Sequence, residues 1–231
     1  MAERRIEIQG GGVPGRDVAI PIDAGELQGT LSVPEGATGA VLFAHGAGSS
    51  RFSPRNRYVA SVLQDAGLAT LLFDLLLEDE AANRANVFDI ALLAERLIAA
   101  TAWLLENPAT GDLHVGYFGA STGAAAALVA AARLPDAVEA IVSRGGRPDL
   151  AGDDLARVRA PTLLIVGGAD EPVITMNQEA LERLEVEKEL VIIPGATHLF
   201  EEPGALERVA ALAAEWFTRH LGGEARLGRA A

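Results

Sequence analysis

The chain has 231 residues, 49% of them hydrophobic, which suits one α/β domain with a sizeable core and excludes disorder for most of its length. It carries 32 acidic against 19 basic residues, and the net charge of −13 argues against nucleic acid or an anionic membrane as a partner. There is no cysteine, so disulfides, thiolate catalysis and cysteine-bound metal are excluded. The first residues, Met1-Ala2-Glu3-Arg4-Arg5-Ile6-Glu7, have no apolar core of a signal peptide, and no stretch approaches a membrane span. The expected location is the cytoplasm.

In chain order, residues 1–15 end in the breaker Gly10-Gly11-Gly12-Val13-Pro14-Gly15 and read as a flexible N-terminal arm. Residues 16–221 read as a single domain. Segments 18–22 and 27–33 are β-like and flank the turn signal Asp23-Ala24-Gly25, which predicts an opening hairpin. The fully apolar run 40–44 predicts a buried central strand. Strands and helices then alternate. Helices are expected over 58–65, 87–105, 124–134, 175–184 and 206–221. Strands are expected over 69–73, 113–118, 138–143, 161–166 and 190–193. Residues 222–231 read as a C-terminal tail. This repeated β-α-β pattern implies an α/β fold with a mostly parallel sheet covered on both faces, and ligands bind beyond the carboxyl ends of such strands.

The residues at those ends are chemically distinctive. Gly119-Ala120-Ser121-Thr122-Gly123 lies between a strand and an alanine-rich helix, the context in which G-x-S-x-G forms a nucleophile elbow. With 25 glycines in the chain the bare pattern is weak, and a glycine-rich turn with Ser121 as a helix N-cap is the structural alternative. After the run 40–44 comes His45-Gly46-Ala47-Gly48-Ser49-Ser50. A glycine-rich loop there suits an oxyanion hole, with Ala47 as one N–H donor and Thr122 as the other. His45 is expected to brace the loop.

Asp170, in Gly167-Gly168-Ala169-Asp170-Glu171-Pro172, is placed to orient a histidine; capping a turn before Pro172 is the structural alternative, and Glu171 the nearest competitor. His198, in Pro194-Gly195-Ala196-Thr197-His198, is the one histidine of four in a loop at the expected edge and C-terminal to an acid. The order Ser121, Asp170, His198 is the nucleophile, acid, base order of α/β-hydrolases. A serine needs a general base, and a carboxylate fixes the histidine's tautomer and stabilises the imidazolium.

These four motifs make the chain resemble an α/β-hydrolase, specifically the dienelactone hydrolase branch, over residues 18–221. The resemblance implies an eight-stranded sheet with an antiparallel second strand, no large lid, and hydrolysis of esters or lactones. The chain also resembles the hydrolase-like segment that some bacterial proteins carry beside a phosphoribosyltransferase domain, a second domain not expected here. Dienelactone hydrolases proper use a cysteine nucleophile, whereas this chain has Ser121 at that position. A general serine carboxylesterase is therefore the safer expectation.

The short stretch between the strands 138–143 and 161–166, where a lid is often inserted, fits one small helix around 149–157, so an open site and a small substrate are expected. Arg51, Arg55 and Arg57 follow the oxyanion loop, and Arg144 and Arg147 follow an active-site strand. Arg144 could bind an anionic group of the substrate, with Arg51 and Gly46 as further contacts. Salt bridges to surface acids, including Glu78-Asp79-Glu80, are the structural alternative. No metal or cofactor is required by this chemistry, and a homodimer is compatible with it. The competing functions are acyl transfer to an acceptor other than water, peptide cleavage, and a catalytically silent binding or sensor protein.

Overall fold

The structure, a computed structural model, describes residues 13–223. The expected arm 1–15 and tail 222–231 therefore fall mostly outside the described residues. Eight strands form one sheet in the order β1-β2-β4-β3-β5-β6-β7-β8. β1 (Arg16–Ile22) and β2 (Gly25–Ser32) form the predicted hairpin. β2 is antiparallel to both of its neighbours, and all later pairings are parallel. This is the sheet expected of an α/β-hydrolase.

β3 (Gly39–Ala44), β4 (Ala69–Phe73), β5 (His114–Ala120), β6 (Val138–Arg144) and β7 (Thr162–Gly167) are buried almost throughout. They are apolar on both sides because helices cover both faces of the sheet. Ala40, Leu42 and Ala44 face one core, whereas Val41 and Phe43 face the other. β8 (Lys188–Ile193) is the more exposed outer edge.

α1 (Pro54–Asp65) and α7 (Ala205–Leu221) pack together on one face. α4 (Ile90–Glu106), α5 (Thr122–Arg133) and α6 (Glu171–Arg183) lie on the other, joined by a 3-10 segment, Pro148–Arg157. That segment is the short helix expected between β6 and β7. α5 is buried between the sheet, α4 and the 3-10 segment, and its alanines leave room for all three. The short helices α2 (Glu78–Ala82) and α3 (Arg84–Val87) follow β4.

Three helix starts differ from the sequence expectation by three residues or more. α1 begins at Pro54, because Ser53 caps it by accepting from Asn56 N–H at 3.3 Å and proline suits the first turn. Residue 87 ends α3, and α4 starts only at 90, where Asp89 accepts from Leu92 N–H at 3.0 Å. α6 begins at 171, with Pro172 again in the first turn. In each case a cap or a proline sets the boundary; apolar periodicity starts a turn too late at α1 and α6, and at α4 it runs back into α3.

Candidate active site

β5 runs directly into the elbow. Ser121 has φ 52° and ψ −121°, a left-sided backbone conformation that costs a non-glycine residue about 1–3 kcal/mol. The turn is held on both sides: Ser121 N–H donates to Arg144 O at 3.3 Å, and Arg147 N–H donates to Ser121 O at 3.1 Å. Small neighbours are obligatory. A Cβ at Gly119 would fall 2.4 Å from Ala124 Cα, and one at Gly123 would fall 2.1 Å from Ala44 O. The Ser121 side chain makes no capping bond, so its hydroxyl is left for other work.

Asp170 and His198, the expected acid and base, lie on adjacent turns beyond β7 and β8. Gly168 N–H donates to Ile193 O at 2.8 Å, and Ala169 N–H donates to Ala196 O at 2.9 Å, which fastens the two turns together. His198 Nδ1 lies 2.7 Å from Asp170 Oδ2. With Nδ1–H donating to the carboxylate, Nε2 is the free acceptor of the ring. Asp170 is the N-cap residue of α6 yet makes no side-chain cap bond; its carboxylate is used on His198 instead. Glu171 lies in the first turn of α6 and is exposed.

The turn that carries His198 is braced by Glu202. Its carboxylate accepts from Thr197 N–H at 3.0 Å and from Thr197 Oγ1 at 2.7 Å, and these bonds hold the Glu202 carboxyl below its usual range. The sequence reading missed Glu202, since nothing marks a glutamate four residues past a histidine as its loop's tether.

The His198 ring lies beside Gly145, where a Cβ would stand 3.5 Å from His198 Cε1. Gly145 follows Arg144, which pairs with Ala120 across β5 and β6. The His198 turn thus lies at the end of β6, the strand that neighbours β5. Among the described residues no hydrogen bond joins Ser121 Oγ to His198. Catalytic bonds of this kind are often long until substrate is bound. His114 and His220 sit elsewhere: His114 pairs with Glu139 at 2.7 Å and His220 lies 3.6 Å from Glu187.

The loop after β3, expected to form an oxyanion hole, lies against the elbow. A Cβ at Gly46 would meet Ser121 Cβ at 3.0 Å. His45 braces the loop as expected: Nε2 accepts Leu75 N–H at 3.1 Å, and Nδ1 lies 3.0 Å from Gly46 O. Burial pushes the His45 pKa down, against the opposing influence of the Gly46 bond and the Asp74 charge, and favours the neutral ring. Ala47 departs from the simplest expectation. Its N–H donates to Thr122 Oγ1 at 3.0 Å, so the loop donor meets a side chain of the elbow helix.

Beside this loop lies a cavity of about 580 Å³, lined by Gly46, Ala47 and Arg51 and by the apolar groups Leu75, Leu77 and Val87. The Arg51 guanidinium is held by the Asp74 carboxylate, which also accepts Arg51 N–H at 2.8 Å. Arg55 pairs with Glu201 at 3.2 Å, and Arg147 pairs with Asp149 through two nitrogens. Glu80, in the acidic run after β4, pairs with Arg96.

Arg144 is different. It is only 7% exposed, makes no ion pair among the described residues, and leaves Nε without a hydrogen-bond partner. Burial and the positive charge of Arg55 push its pKa down to about 10. Its guanidinium carbon stands 5.9 Å from the centre of the Phe200 ring, two residues past the base. The surface salt-bridge alternative therefore describes Arg51, Arg55 and Arg147 and does not describe Arg144.

Among the described residues no cluster of side chains could hold a metal ion, and no helix is long and apolar enough to cross a membrane. A dienelactone hydrolase from Anabaena variabilis has the same fold, with a TM-score of 0.88 and 62% identity over 90% of this chain and 98% of its own. Est1E from Butyrivibrio proteoclasticus, at 17% identity, has a TM-score of 0.75 over 91% of this chain and 100% of its own. That likeness concerns the fold alone. A Mycobacterium tuberculosis protein named "Putative phosphoribosyl transferase Rv0571c" is 61% identical over 212 residues, which are 91% of this chain and 48% of that protein. The chain thus spans about half the length of that curated relative. The model of the dienelactone hydrolase family matches residues 31–221, and with the fold and the elbow in place the chain belongs to that family.

Proposed function

We propose that this protein is a serine hydrolase that cleaves carboxylic esters or lactones through an acyl-enzyme. The reading is supported by the Asp170–His198 pair at 2.7 Å and by a serine held at positive φ with its hydroxyl uncommitted. Ser121 Oγ attacks the acyl carbon, and its proton passes to His198 Nε2. His198 returns that proton to the leaving alcohol. Asp170 keeps the ring in the Nδ1–H tautomer and stabilises the imidazolium. Water then adds to the acyl carbon, giving a proton to His198, and the adduct collapses: the bond from the acyl carbon to Ser121 Oγ breaks, His198 returns the proton to Ser121 Oγ, and the acid leaves.

The apolar cavity beside the oxyanion loop suits a compact hydrophobic portion of the substrate. Arg144 adds a preference for an anionic substrate. A guanidinium stays charged at neutral pH, and burying it without a partner is unfavourable, so a carboxylate of the substrate is a fitting counterion. Arg51 borders the cavity but is committed to Asp74, which leaves it a secondary contact. The transferase name of the longer relative finds no support in a Ser-His-Asp arrangement, which activates an acyl-transfer nucleophile.

A fluorophosphonate probe followed by peptide mass spectrometry tests the reading. Adduct on Ser121, absent in Ser121→Ala, is the expected result, and a folded wild type that takes up no probe overturns it. A panel of p-nitrophenyl esters and lactones then bounds the substrate. In the same assay Arg144→Ala should lose rate selectively on carboxylate-bearing esters. An unchanged ratio of charged to neutral substrates removes the anionic preference.

A further inference from the structure

The Ala47 N–H is the donor expected from the oxyanion loop, yet it is directed at the Thr122 hydroxyl. The two residues are 75 positions apart, and the bond of 3.0 Å is the direct polar link between loop and elbow helix. Thr122 is only 4% exposed, so its hydroxyl has little access to water. A threonine hydroxyl accepts through oxygen and donates through its one proton. Here the oxygen is occupied by Ala47 N–H, and no acceptor takes the proton among the described residues. A donor left over in this way, next to the nucleophile, is available to a substrate oxygen.

We propose that Thr122 supplies both donors of the oxyanion hole, its backbone N–H and its side-chain O–H, and that Ala47 acts behind it as a positioning residue. The inference rests on the serine hydrolase reading above. Thr122 is the first residue of α5, so its N–H has no partner within the helix and lies at the positive end of the helix dipole. Ala47 N–H fixes the hydroxyl rotamer and polarises the O–H bond, which strengthens it as a donor. As Ser121 Oγ bonds to the acyl carbon, the carbonyl π pair moves onto oxygen. The Ser121 proton goes to His198, and Thr122 gives hydrogen bonds to the new charge without transferring a proton.

The same contact permits an opposite device, in which the hydroxyl occupies the hole and must swing away before substrate enters. Replacing Thr122 by valine separates the two, because valine keeps the shape and lacks the hydroxyl. If Thr122 donates, Thr122→Val lowers kcat by about 10²-fold with little change in KM, the size of losing one oxyanion donor. Thr122→Ser should recover most of that loss. If the hydroxyl is a plug, Thr122→Val frees Ala47 N–H and the enzyme becomes faster.

The measurements are kcat and KM on p-nitrophenyl acetate and the rate of fluorophosphonate labelling of Ser121, whose phosphoryl oxygen would enter the same hole. Thermal unfolding of each variant accompanies them. Should the valine variant not fold, Thr122→Ala makes the same test with a smaller side chain. A rate equal to or above wild type in a folded valine or alanine variant overturns the proposal, as does a loss that serine does not rescue. Wild-type labelling at Ser121 stands or falls separately: if it is present, a failure belongs to the Thr122 assignment, and if it is absent, the hydrolase reading falls and takes this inference with it.

Discussion

Two kinds of helix start coexist in this molecule, built from the same residue types. At α1, α3 and α4 the N-caps Ser53, Asn83 and Asp89 each turn their side-chain oxygen back onto a backbone N–H of the first turn. At α5 and α6 the N-caps Ser121 and Asp170 do not. A capping bond is worth about 1 kcal/mol, so two helices forgo a stabilisation that their own sequence could provide. Ser121 also carries the backbone cost of positive φ. The capped starts serve the fold. On the proposed function the uncapped ones hold groups in place for chemistry, and stability is given up where those groups stand.

The sharpest way to break this comparison is at the uncapped starts. Ser121→Ala should abolish esterase activity, a loss of about 10⁶ in kcat for a triad nucleophile. Ser121→Gly should be equally inactive yet more stable than wild type by about 1 kcal/mol, because glycine adopts φ near 52° without strain. Chemical denaturation compared with turnover checks both arms. Lower stability in the glycine variant would show that the elbow is not strained. Asp170→Asn should lower kcat by about 10⁴, through loss of the correct histidine tautomer, while the melting temperature hardly moves. A large drop in melting temperature with activity retained would make Asp170 an ordinary structural residue.

The two loop histidines offer a finer contrast. His198 gives one ring nitrogen to Asp170, whereas His45 has both beside backbone groups, Leu75 N–H and Gly46 O. Burial lowers the His45 pKa below the ordinary 6.5. Below pH 6.5 the unfolded chain therefore binds a proton that the native ring refuses. Stability contributed by His45 is complete above pH 6.5 and is lost as pH falls toward the native pKa, with a slope of at most about 1.4 kcal/mol per pH unit. His220 is also lowered by burial and adds to the same trend. The quantity to measure is the difference between wild type and His45→Gln in urea unfolding from pH 5 to 7.5. A constant difference across that range would mean that His45 is not held neutral.

The sequence was most legible where one residue type can serve one purpose. Gly119 and Gly123 had to be small, the run 40–44 could be buried on both sides, and Ser121, Asp170 and His198 fell at strand ends in a recognisable order. Legibility failed where partners come from distant segments. Thr122 Oγ1 meets Ala47 N–H only because β3 and β5 are neighbours, and Asp74 meets Arg51 only because β4 lies beyond β3. Arg144 shows a third limit. Its position beside the elbow could be expected, but an arginine almost wholly buried could not be told from Arg51 or Arg147 by spacing. Charge runs describe a surface, and burial belongs to packing, here with Phe200 beside the side chain.

The capped starts give the smallest effect and the control for all the others. Asp89 Oδ1 accepts Leu92 N–H at 3.0 Å at the start of a seventeen-residue helix, and Asp89 is remote in role from the elbow. Asp89→Ala removes that bond and leaves the N–H to water, since the site is exposed. The expected loss is about 1 kcal/mol, or about 2–4 °C in melting temperature for a chain of this size, with kcat and KM unchanged. Ser53→Ala at α1 should act alike, and somewhat more weakly, because its bond is longer at 3.3 Å. If Asp89→Ala instead lowered kcat at constant stability, capped and uncapped starts would not divide into structural and chemical classes. The uncommitted side chain at Ser121 would then lose its standing as a mark of function. If the melting temperature falls and turnover holds, the missing caps at α5 and α6 become a physical signature of the site that does not depend on motif at all.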